Sequence, residues 1–294
     1  MGKTAVLFSG QGAQHPGMMR EAYETLPAAR RVFDVASDAL GRDIAALCFD
    51  GSQEELNLTC NTQPCVLAAD LAAYEVAKAQ GTVADCFAGF SLGEYAALVS
   101  AGCLALEDAF PLIQLRADAM QSAVPVGEGA MAAVMRADAE TLRALCAGVE
   151  GYVECANYNS PSQIVVSGEA GAVDSLVAAC KERKIRAVKI PVSVPAHCRL
   201  LAPAADVLAD ALREVGLSDP VAPVYLNVDA RPIVSAEGLR DKMVQQVKSP
   251  VLWVDTLRNL WADGCTDFVE CGPGTTLTGF VKKTLKEARA TSVE

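Results

Sequence analysis

Apolar and polar residues alternate along the first 125 residues in blocks of two kinds. Short apolar runs at 3–9 and 83–90 end in glycine turns, which is typical of buried strands. Longer stretches with helical spacing follow at 20–40, at 62–80, from Leu92 onward and at 107–122. This alternation predicts an α/β fold class in which the sheet is largely parallel.

The pattern changes after PVGEG at 125–129, which is typical of a linker. The next elements have the order βαββαβ, the order of a ferredoxin-like unit. They are predicted at 130–135, 138–147, 152–157, 163–168, 170–183 and 186–191. The first pattern then resumes, with a helix at 200–215, a strand at 222–228, a helix at 236–247, a strand at 267–271 and a final helix. We therefore predict a discontinuous large catalytic subdomain (1–126 and 196–294) and an inserted ferredoxin-like one (127–195).

Composition narrows the function. The formal net charge of −11 argues against a nucleic-acid partner. No apolar stretch is long enough to span a membrane, and the N-terminus lacks the pattern of a signal peptide. The eleven cysteines are odd in number and lie mostly in apolar runs, so we expect buried free thiols and a cytoplasmic protein. With two histidines and no cluster of ligand spacing, we expect no metal site.

The sequence GFSLG at 89–93 places a serine between a predicted strand and a predicted helix. Flanking glycines let the chain reverse sharply, so the Ser91 hydroxyl is exposed in a nucleophile elbow. The Leu92 N–H then lies in the first helical turn, where donors have no helical partner and the helix dipole favours negative charge. An ordinary strand-to-helix turn is the alternative interpretation.

A serine nucleophile needs a base, and His15 and His197 are the two histidines. His15 lies in a polar glycine-rich loop, whereas His197 follows the predicted small domain, where a cleft is expected. Arg116 has apolar helical neighbours, and a buried arginine requires an anionic partner. That partner is either an internal acid, Glu94 or Asp118, or a substrate carboxylate held by a bidentate clamp.

Seven motifs occur together and in order along the chain. They are GQGAQ (10–14), NTQP (61–64), GFSLGEYAAL (89–98), LRADAM (115–120), ANYNSPSQIVVSG (156–168), VSVPAHC (192–198) and ECGPGTTL (270–277). With this set the chain resembles malonyl-CoA:acyl carrier protein transacylases of fatty-acid synthesis and the acyltransferase domains of polyketide synthases. The resemblance implies an α/β hydrolase-like large subdomain with an inserted ferredoxin-like one.

The resemblance also implies roles for individual residues. Ser91 matches the nucleophile, His197 the general base, and Arg116 the arginine that binds the malonyl carboxylate. Gln11 matches a residue at the oxyanion hole, where the Leu92 N–H is also expected to donate. Gln63 and Asn159 match polar substrate-binding residues, and the backbone carbonyl of Gln246 is expected to orient the histidine.

The implied reaction is a ping-pong transfer of malonyl from malonyl-CoA to the phosphopantetheine thiol of acyl carrier protein, with no metal or redox cofactor. The resemblance further implies a monomer. Carrier proteins of this kind are acidic, so docking requires a local basic patch on this acidic chain. The densest candidate comprises Lys181, Arg183, Lys184, Arg186 and Lys189, and a second comprises Lys282, Lys283 and Lys286. A solvated helix end is the alternative for the first.

Phe90 departs from the family pattern, because many members have histidine before the nucleophile. It either packs under the elbow or, with the small Ala196, affects the choice between malonyl and methylmalonyl. Three other functions stay open: a trans-acting polyketide-pathway acyltransferase, a serine acyl hydrolase and a catalytically silent binding module. A hydrolase would carry its histidine nearer the C-terminus and would not require Arg116.

Overall fold

Ten strands and thirteen α-helices make up the described part of the chain. The computed structural model describes residues 2–192 and 194–294; Met1, and Ser193 of the VSVPAHC motif, lie outside the described residues. The strands are β1 (Lys3–Phe8), β2 (Cys86–Gly89), β3 (Gly129–Met135), β4 (Val153–Ser160), β5 (Gln163–Glu169), β6 (Arg186–Ile190), β7 (Val224–Tyr225), β8 (Pro232–Ile233), β9 (Cys265–Cys271) and β10 (Arg289–Val293).

The helices connect these strands and cover the sheets. They are α1 (Arg20–Thr25), α2 (Pro27–Leu40), α3 (Ile44–Asp50), α4 (Gln53–Leu56), α5 (Thr59–Ala79), α6 (Gly93–Ser100), α7 (Leu106–Ala123), α8 (Ala139–Gly148), α9 (Ala170–Glu182), α10 (Ala202–Leu212), α11 (Leu239–Lys248), α12 (Trp253–Ala262) and α13 (Thr276–Thr284), and a 3₁₀ turn at Arg199–Leu201 precedes α10.

The larger sheet has the order β10-β9-β1-β2-β7-β8, and its neighbouring strands are parallel except for β7 and β8. Successive side chains of β1 enter different cores, as expected for a strand covered on both faces. Val6 and Phe8 pack in a core formed with α1 to α7, α10 and α11, whereas Ala5 and Leu7 pack against α12 and α13. The predicted fold class is therefore confirmed.

The smaller sheet has the order β4-β5-β3-β6 and is antiparallel throughout. Helices α8 and α9 cover one face with a core of their own, and the other face carries Met131 and Val165. This arrangement confirms the predicted ferredoxin-like order βαββαβ. The subdomain boundaries after residues 126 and 195 stay a prediction. Val251, which precedes α12, is hydrogen-bonded through both backbone groups to β4.

Several element predictions were wrong. The predicted helix at 20–40 is two helices, because Leu26 is extended before Pro27 and a residue before proline disfavours the helical region. The strand predicted at 222–228 comprises only Val224–Tyr225, and the chain turns immediately afterwards. The elements missed altogether are α3, α4, α12, β8 and β10.

Candidate active site

The candidate site lies where β1 and β2 end side by side. Phe8 pairs with Gly89 at the carboxyl edge of the large sheet, where ligands of parallel sheets commonly bind. A cavity of about 270 Å³ opens between this edge and the uncovered face of the small sheet. Ser91, Arg116 and His197 all line the cavity, so three residues distant in sequence meet there.

The strand-to-helix turn at Ser91 is a strained nucleophile elbow. Ser91 has φ of 55°, in the left-handed region that residues with a Cβ rarely adopt. A Cβ at Gly93 would lie 2.3 Å from the Ser9 carbonyl oxygen, and one at Gly89 would lie 1.9 Å from the Gly93 carbonyl oxygen. The glycines are therefore required by close backbone approach, as the motif predicts.

His197 faces the serine hydroxyl directly. Its Nε2 lies 2.6 Å from Ser91 Oγ, and its Nδ1 lies 2.9 Å from the backbone carbonyl oxygen of Gln246. Because a carbonyl only accepts, Nδ1 must donate, which assigns the neutral tautomer whose Nε2 accepts from the serine hydroxyl. The side chain is buried, and burial, followed by the positive charge of Arg116, lowers the pKa of His197 to about 4.

Two backbone donors point to a site for an oxyanion. Helix α6 begins at Gly93, so the Leu92 N–H precedes the helical hydrogen bonds. Neither Leu92 N nor Gln11 N has a hydrogen-bond partner within the described residues. Both residues line the cavity, and the Gln11 side chain donates to Thr59 Oγ1 over 3.4 Å. Leu92 directly follows Ser91 in the chain, and Gln11 lines the same cavity; their role in an oxyanion hole stays a prediction.

Arg116 is buried, with 1 % of its surface exposed, yet it has no carboxylate within ion-pair distance in the described residues. Its guanidinium donates to the side-chain oxygens of Gln63 (2.6 Å) and Gln246 (3.0 Å), and its NH2 group lies 3.5 Å from Ser91 Oγ. Burial lowers the pKa of Arg116. The neutral amide oxygens of Gln63 and Gln246 thus hold the buried guanidinium of Arg116 beside the serine hydroxyl.

The two acids proposed as internal partners of Arg116 bind elsewhere. Glu94 accepts from a backbone N–H over 2.7 Å, and Asp118 accepts from Gln114 on the helix surface. Burial raises the pKa of Glu94 to about 8, which disfavours its charged form near neutral pH. Arg116 therefore has no direct ion pair with either acid; burial lowers the pKa of Arg116, and the nearby Glu94 partly opposes that effect.

Gln246 contacts all three central residues. Its carbonyl accepts from His197, its side-chain oxygen accepts from Arg116, and its Nε2 donates to the Ser91 carbonyl oxygen over 2.7 Å. Gln63 differs from its prediction, because it lies behind Arg116 and does not line the cavity. Any effect of Gln63 on a ligand must therefore be transmitted through its cavity-lining neighbours, Arg116 and Met120.

The small sheet supplies a mostly apolar wall with a few amides. Asn159 lines the cavity and donates to Gln163 over 3.1 Å, while its buried Oδ1 has no partner. Asn157 lies on the same wall. Apolar walls with a few free amide groups suit a ligand that alternates alkyl and amide segments.

Phe90 both packs under the elbow and lines the cavity. Its ring lies 5.4 Å from that of Trp253 and 6.2 Å from that of Phe280, measured between centroids. Ala196 lines the cavity beside His197. The two interpretations of Phe90 therefore do not exclude each other.

The remaining candidates lie away from the serine. His15 pairs with Glu294 at the surface over 2.6 Å. Among the basic residues of the predicted patch, Arg186 is on the cavity-facing side of β6, in line with Ile190, which lines the cavity. Lys189 instead pairs with Asp174 of α9 over 2.7 Å. That patch does not, as a whole, face the cleft.

Three further features concern the cysteines, the clusters of metal-ligating side chains and the apolar character of the helices. The eleven cysteines are free, and ten of them are buried. Within residues 2–192 and 194–294, no cluster of three His, Cys, Asp or Glu side chains could hold a metal ion. In the same residues, none of the helices combines the length and apolar character needed to cross a membrane.

Sequence reasoning missed Asn227, which touches the elbow. It is fully buried, does not line the cavity, and binds the backbone on both sides of Phe90. It follows a strand of only two residues, Val224–Tyr225, in a segment without a recognisable catalytic motif. No local sequence pattern indicates its position, because the predicted strand extended past it to residue 228.

Comparison with known proteins gives matches over the whole chain. Residues 6–294 match the family described as acyl transferase domain. The malonyl CoA-acyl carrier protein transacylase of Bacillus subtilis (strain 168) is 42% identical over 297 residues, covering 100% of this chain and 94% of the relative. These matches agree with the resemblance carried by the seven motifs.

Solved structures give the same result. An acyl-carrier-protein S-malonyltransferase from Burkholderia pseudomallei 1710b has a TM-score of 0.95 and 42% identity, covering 99% of this chain and 96% of that one. A malonyl-transacylase in complex with a type II PKS acyl-carrier protein has a TM-score of 0.96 and 40% identity, covering 99% and 96%.

Proposed function

Because the chain belongs to the acyl transferase family, we propose that it transfers malonyl from malonyl-CoA to the phosphopantetheine thiol of acyl carrier protein in fatty-acid synthesis. The protein is an acyltransferase, and acyl carrier protein is its partner. The observation that most strongly supports malonyl as the acyl group concerns Arg116. A buried arginine without a carboxylate partner lies 3.5 Å from the hydroxyl that faces His197.

The first half-reaction forms a malonyl ester on Ser91. His197 Nε2 takes the hydroxyl proton as Oγ attacks the thioester carbonyl, and the Gln246 carbonyl stabilises the resulting imidazolium through Nδ1–H. The N–H groups of Leu92 and Gln11 hold the oxyanion, and one such donor contributes about a hundred- to a thousandfold in rate. Collapse of the tetrahedral intermediate breaks the C–S bond, and His197 gives its proton to the departing CoA thiolate.

The second half-reaction reverses these steps with a different thiol. His197 takes the proton of the phosphopantetheine thiol, the sulfur attacks the malonyl ester, and the proton returns to Ser91 Oγ as the ester bond breaks. The residues supply a nucleophile, a base and oxyanion donors, so the proposal includes no metal or redox cofactor. In this proposal the amides of Asn157 and Asn159, which line the cavity, bind the pantetheine arm.

Arg116 accounts for the preference for malonyl in this proposal. A malonyl carboxylate would neutralise the buried guanidinium, which Gln63 and Gln246 hold in place. An acetyl group would leave that cation unpaired in a site where burial makes unpaired charge costly. Neutralisation would also remove one of the two causes that lower the pKa of His197, so malonyl binding should strengthen the base.

Steady-state kinetics with malonyl-CoA and holo-acyl carrier protein test the function. We expect parallel double-reciprocal lines and malonyl thioester on the carrier, because the two substrates react in separate half-reactions. Apo-carrier, which lacks the phosphopantetheine thiol, is the matched control and should accept nothing. Release of free malonate with no loaded carrier would support a hydrolase instead.

The carrier-docking surface is a further part of the proposal. The exposed residues Lys181, Arg183, Lys184 and Arg186 follow α9 into β6, whose residue Ile190 lines the cavity. Charge reversal at Lys181 and Lys184 should raise KM for the carrier and leave KM for malonyl-CoA unchanged. Arg213→Glu, an exposed reversal on another element, is the control. Carrier kinetics equal to those of the control would contradict this surface.

A polyketide carrier is the second candidate substrate, because a structural neighbour was solved with a type II PKS acyl-carrier protein. Relative kcat/KM for the two carriers distinguishes the pathways.

We also propose a cytoplasmic monomer. The unpaired state of all eleven cysteines supports the location, since thiols persist in a reducing compartment.

A further inference from the structure

Asn227 is bound to the nucleophile elbow through both ends of its carboxamide. Its Oδ1 accepts from the Ser91 N–H and its Nδ2 donates to the Gly89 carbonyl oxygen, each over 2.7 Å. Its own backbone is held as well, because its N–H donates to Glu94 and its carbonyl accepts from the Leu252 N–H. The side chain is fully buried and therefore rigidly placed.

The carboxamide takes the place of a strand that has ended. Val224 and Tyr225 pair with Phe87 and Ala88, but β7 ends at Tyr225 whereas β2 continues to Gly89 at the elbow. A side-chain amide has the same donor and acceptor as a peptide group. Asn227 thus extends the parallel ladder past the last strand residue and binds the two backbone groups that flank Phe90.

This contact has two consequences for Ser91. It stabilises a backbone with φ of 55°, which a serine would otherwise leave for a less strained conformation. It also occupies the Ser91 N–H, so that the free donors beside the hydroxyl are those of Leu92 and Gln11. A relaxed elbow would move Oγ relative to both donors and to His197.

We propose that Asn227 is a positioning residue for acyl transfer: its carboxamide holds the elbow so that Ser91 Oγ lies between His197 and the oxyanion donors. This inference rests on the proposed function, and Asn227 acts through the Ser91 backbone without touching the substrate.

The acylation rate of Asn227→Ala, measured by rapid quench and intact mass with malonyl-CoA, tests the proposal. We expect a rate about a hundredfold lower, the effect of displacing a reacting group by about 1 Å. Affinity for malonyl-CoA, measured by calorimetry, should change less than about threefold, because Arg116 and the cavity wall are untouched. Asn61→Ala is the control, since it also removes an amide that accepts from one group and donates to a backbone carbonyl.

Asn227→Asp supplies a readout that a purely structural role would not change. A protonated carboxyl accepts from Ser91 N–H and donates to Gly89 O, as the carboxamide does, whereas a carboxylate repels the carbonyl. The ionisable groups around it are Glu94, Arg116 and the Asp229–Lys242 pair, and burial favours the protonated form of an acid here as it does for Glu94. At pH 5 this variant should acylate at least about tenfold faster than Asn227→Ala, the effect of one restored buried hydrogen bond.

Wild-type acylation in Asn227→Ala, or an Asn227→Asp as slow as Asn227→Ala at every pH from about 5 to 8, would overturn the proposal. Melting temperatures show whether each variant is folded. If Asn227→Ala does not fold, the acylation rate of Asn227→Asp at pH 5 is compared with that of the wild-type protein instead. Failure of the proposed function is distinguishable, because the wild-type protein would then form no malonyl adduct.

Discussion

Replacing Arg116 with methionine should change the substrate preference of the protein from malonyl to acetyl. Methionine has a similar length and no charge, so it removes the guanidinium with little change in shape. In the wild-type protein the cation is buried with 1 % exposure and is held by two neutral amide oxygens. A malonyl carboxylate would be its charged partner, and an acetyl group would provide none.

The magnitude follows from that burial. Removing one member of a buried, hydrogen-bonded charge pair costs about 2–5 kcal/mol, which is about thirty- to several-thousandfold in kcat/KM. Acetyl transfer should stay constant or increase, since Arg116→Met removes a cation that acetyl leaves unpaired.

Single-turnover acylation, measured by intact mass with malonyl-CoA and acetyl-CoA, gives both values of kcat/KM. Acetylation of the same variant reports whether the dyad of Ser91 and His197 is intact, so a general loss of fold is recognised. Arg42→Met is the matched control, because Arg42 also makes three hydrogen bonds but lies outside the cavity. Retention of the malonyl preference by Arg116→Met would refute the clamp.

Four further outcomes are expected. The pH profile of kcat/KM for malonyl-CoA should stay flat down to about pH 5, because the free enzyme holds the pKa of His197 near 4; a half-loss near pH 6.5 would contradict this. Gln246→Leu keeps the backbone carbonyl but loses both the amide oxygen that binds Arg116 and the amide N–H that binds the Ser91 carbonyl, so kcat/KM should fall for both substrates, and about tenfold further for malonyl than for acetyl; equal losses for both substrates would contradict the link to the clamp. The pKa of Glu94 is about 8 in the folded protein, against an ordinary value of 4.5. Between these two pH values the folded state binds more protons than the unfolded state. The free energy of unfolding therefore falls as pH rises from about 4.5 to about 8, by at most about 1.4 kcal/mol per pH unit. In urea unfolding, the stability difference between wild type and Glu94→Gln should therefore shift toward the variant from pH 5 to pH 8, and a constant difference would contradict the raised pKa. Gly93→Ala should lose about a hundredfold in acylation because its Cβ meets the Ser9 carbonyl, whereas Gly171→Ala, with open space around the Cβ, should not; equal rates in both would contradict the required close approach.

Local patterns were sufficient to predict the elbow and the strand–helix alternation. Gly89, Ser91 and Gly93 lie within five residues, and the constraint between them is steric and local. The pairing of Ser91 with His197 followed from the scarcity of histidine, and the 2.6 Å contact agrees with it. Hydrophobic periodicity also predicted the βαββαβ order, because its elements together enclose one core that is separate from that of the large sheet.

Long-range contacts between polar groups were not predictable in the same way. Nothing near Asn227 indicates that its amide continues a ladder begun by Val224–Tyr225. The carbonyl of Gln246 was expected only from the resemblance, since any residue type has one. Tertiary structure, and not propensity, determines these two features. Helix α12, in contrast, was missed although Trp253, Leu257 and Leu260 recur at helical spacing on its buried side.

The central claim is that Ser91 carries the malonyl group between two thiols. Intact-mass measurement after brief mixing with malonyl-CoA tests it most directly, in the wild-type protein and in Ser91→Ala. We expect a malonyl adduct on the wild-type protein that disappears on addition of holo-acyl carrier protein and never forms on Ser91→Ala. Formation of a malonyl adduct on Ser91→Ala would contradict the account. Consumption of the thioester by a wild-type protein that forms no adduct would contradict it as well.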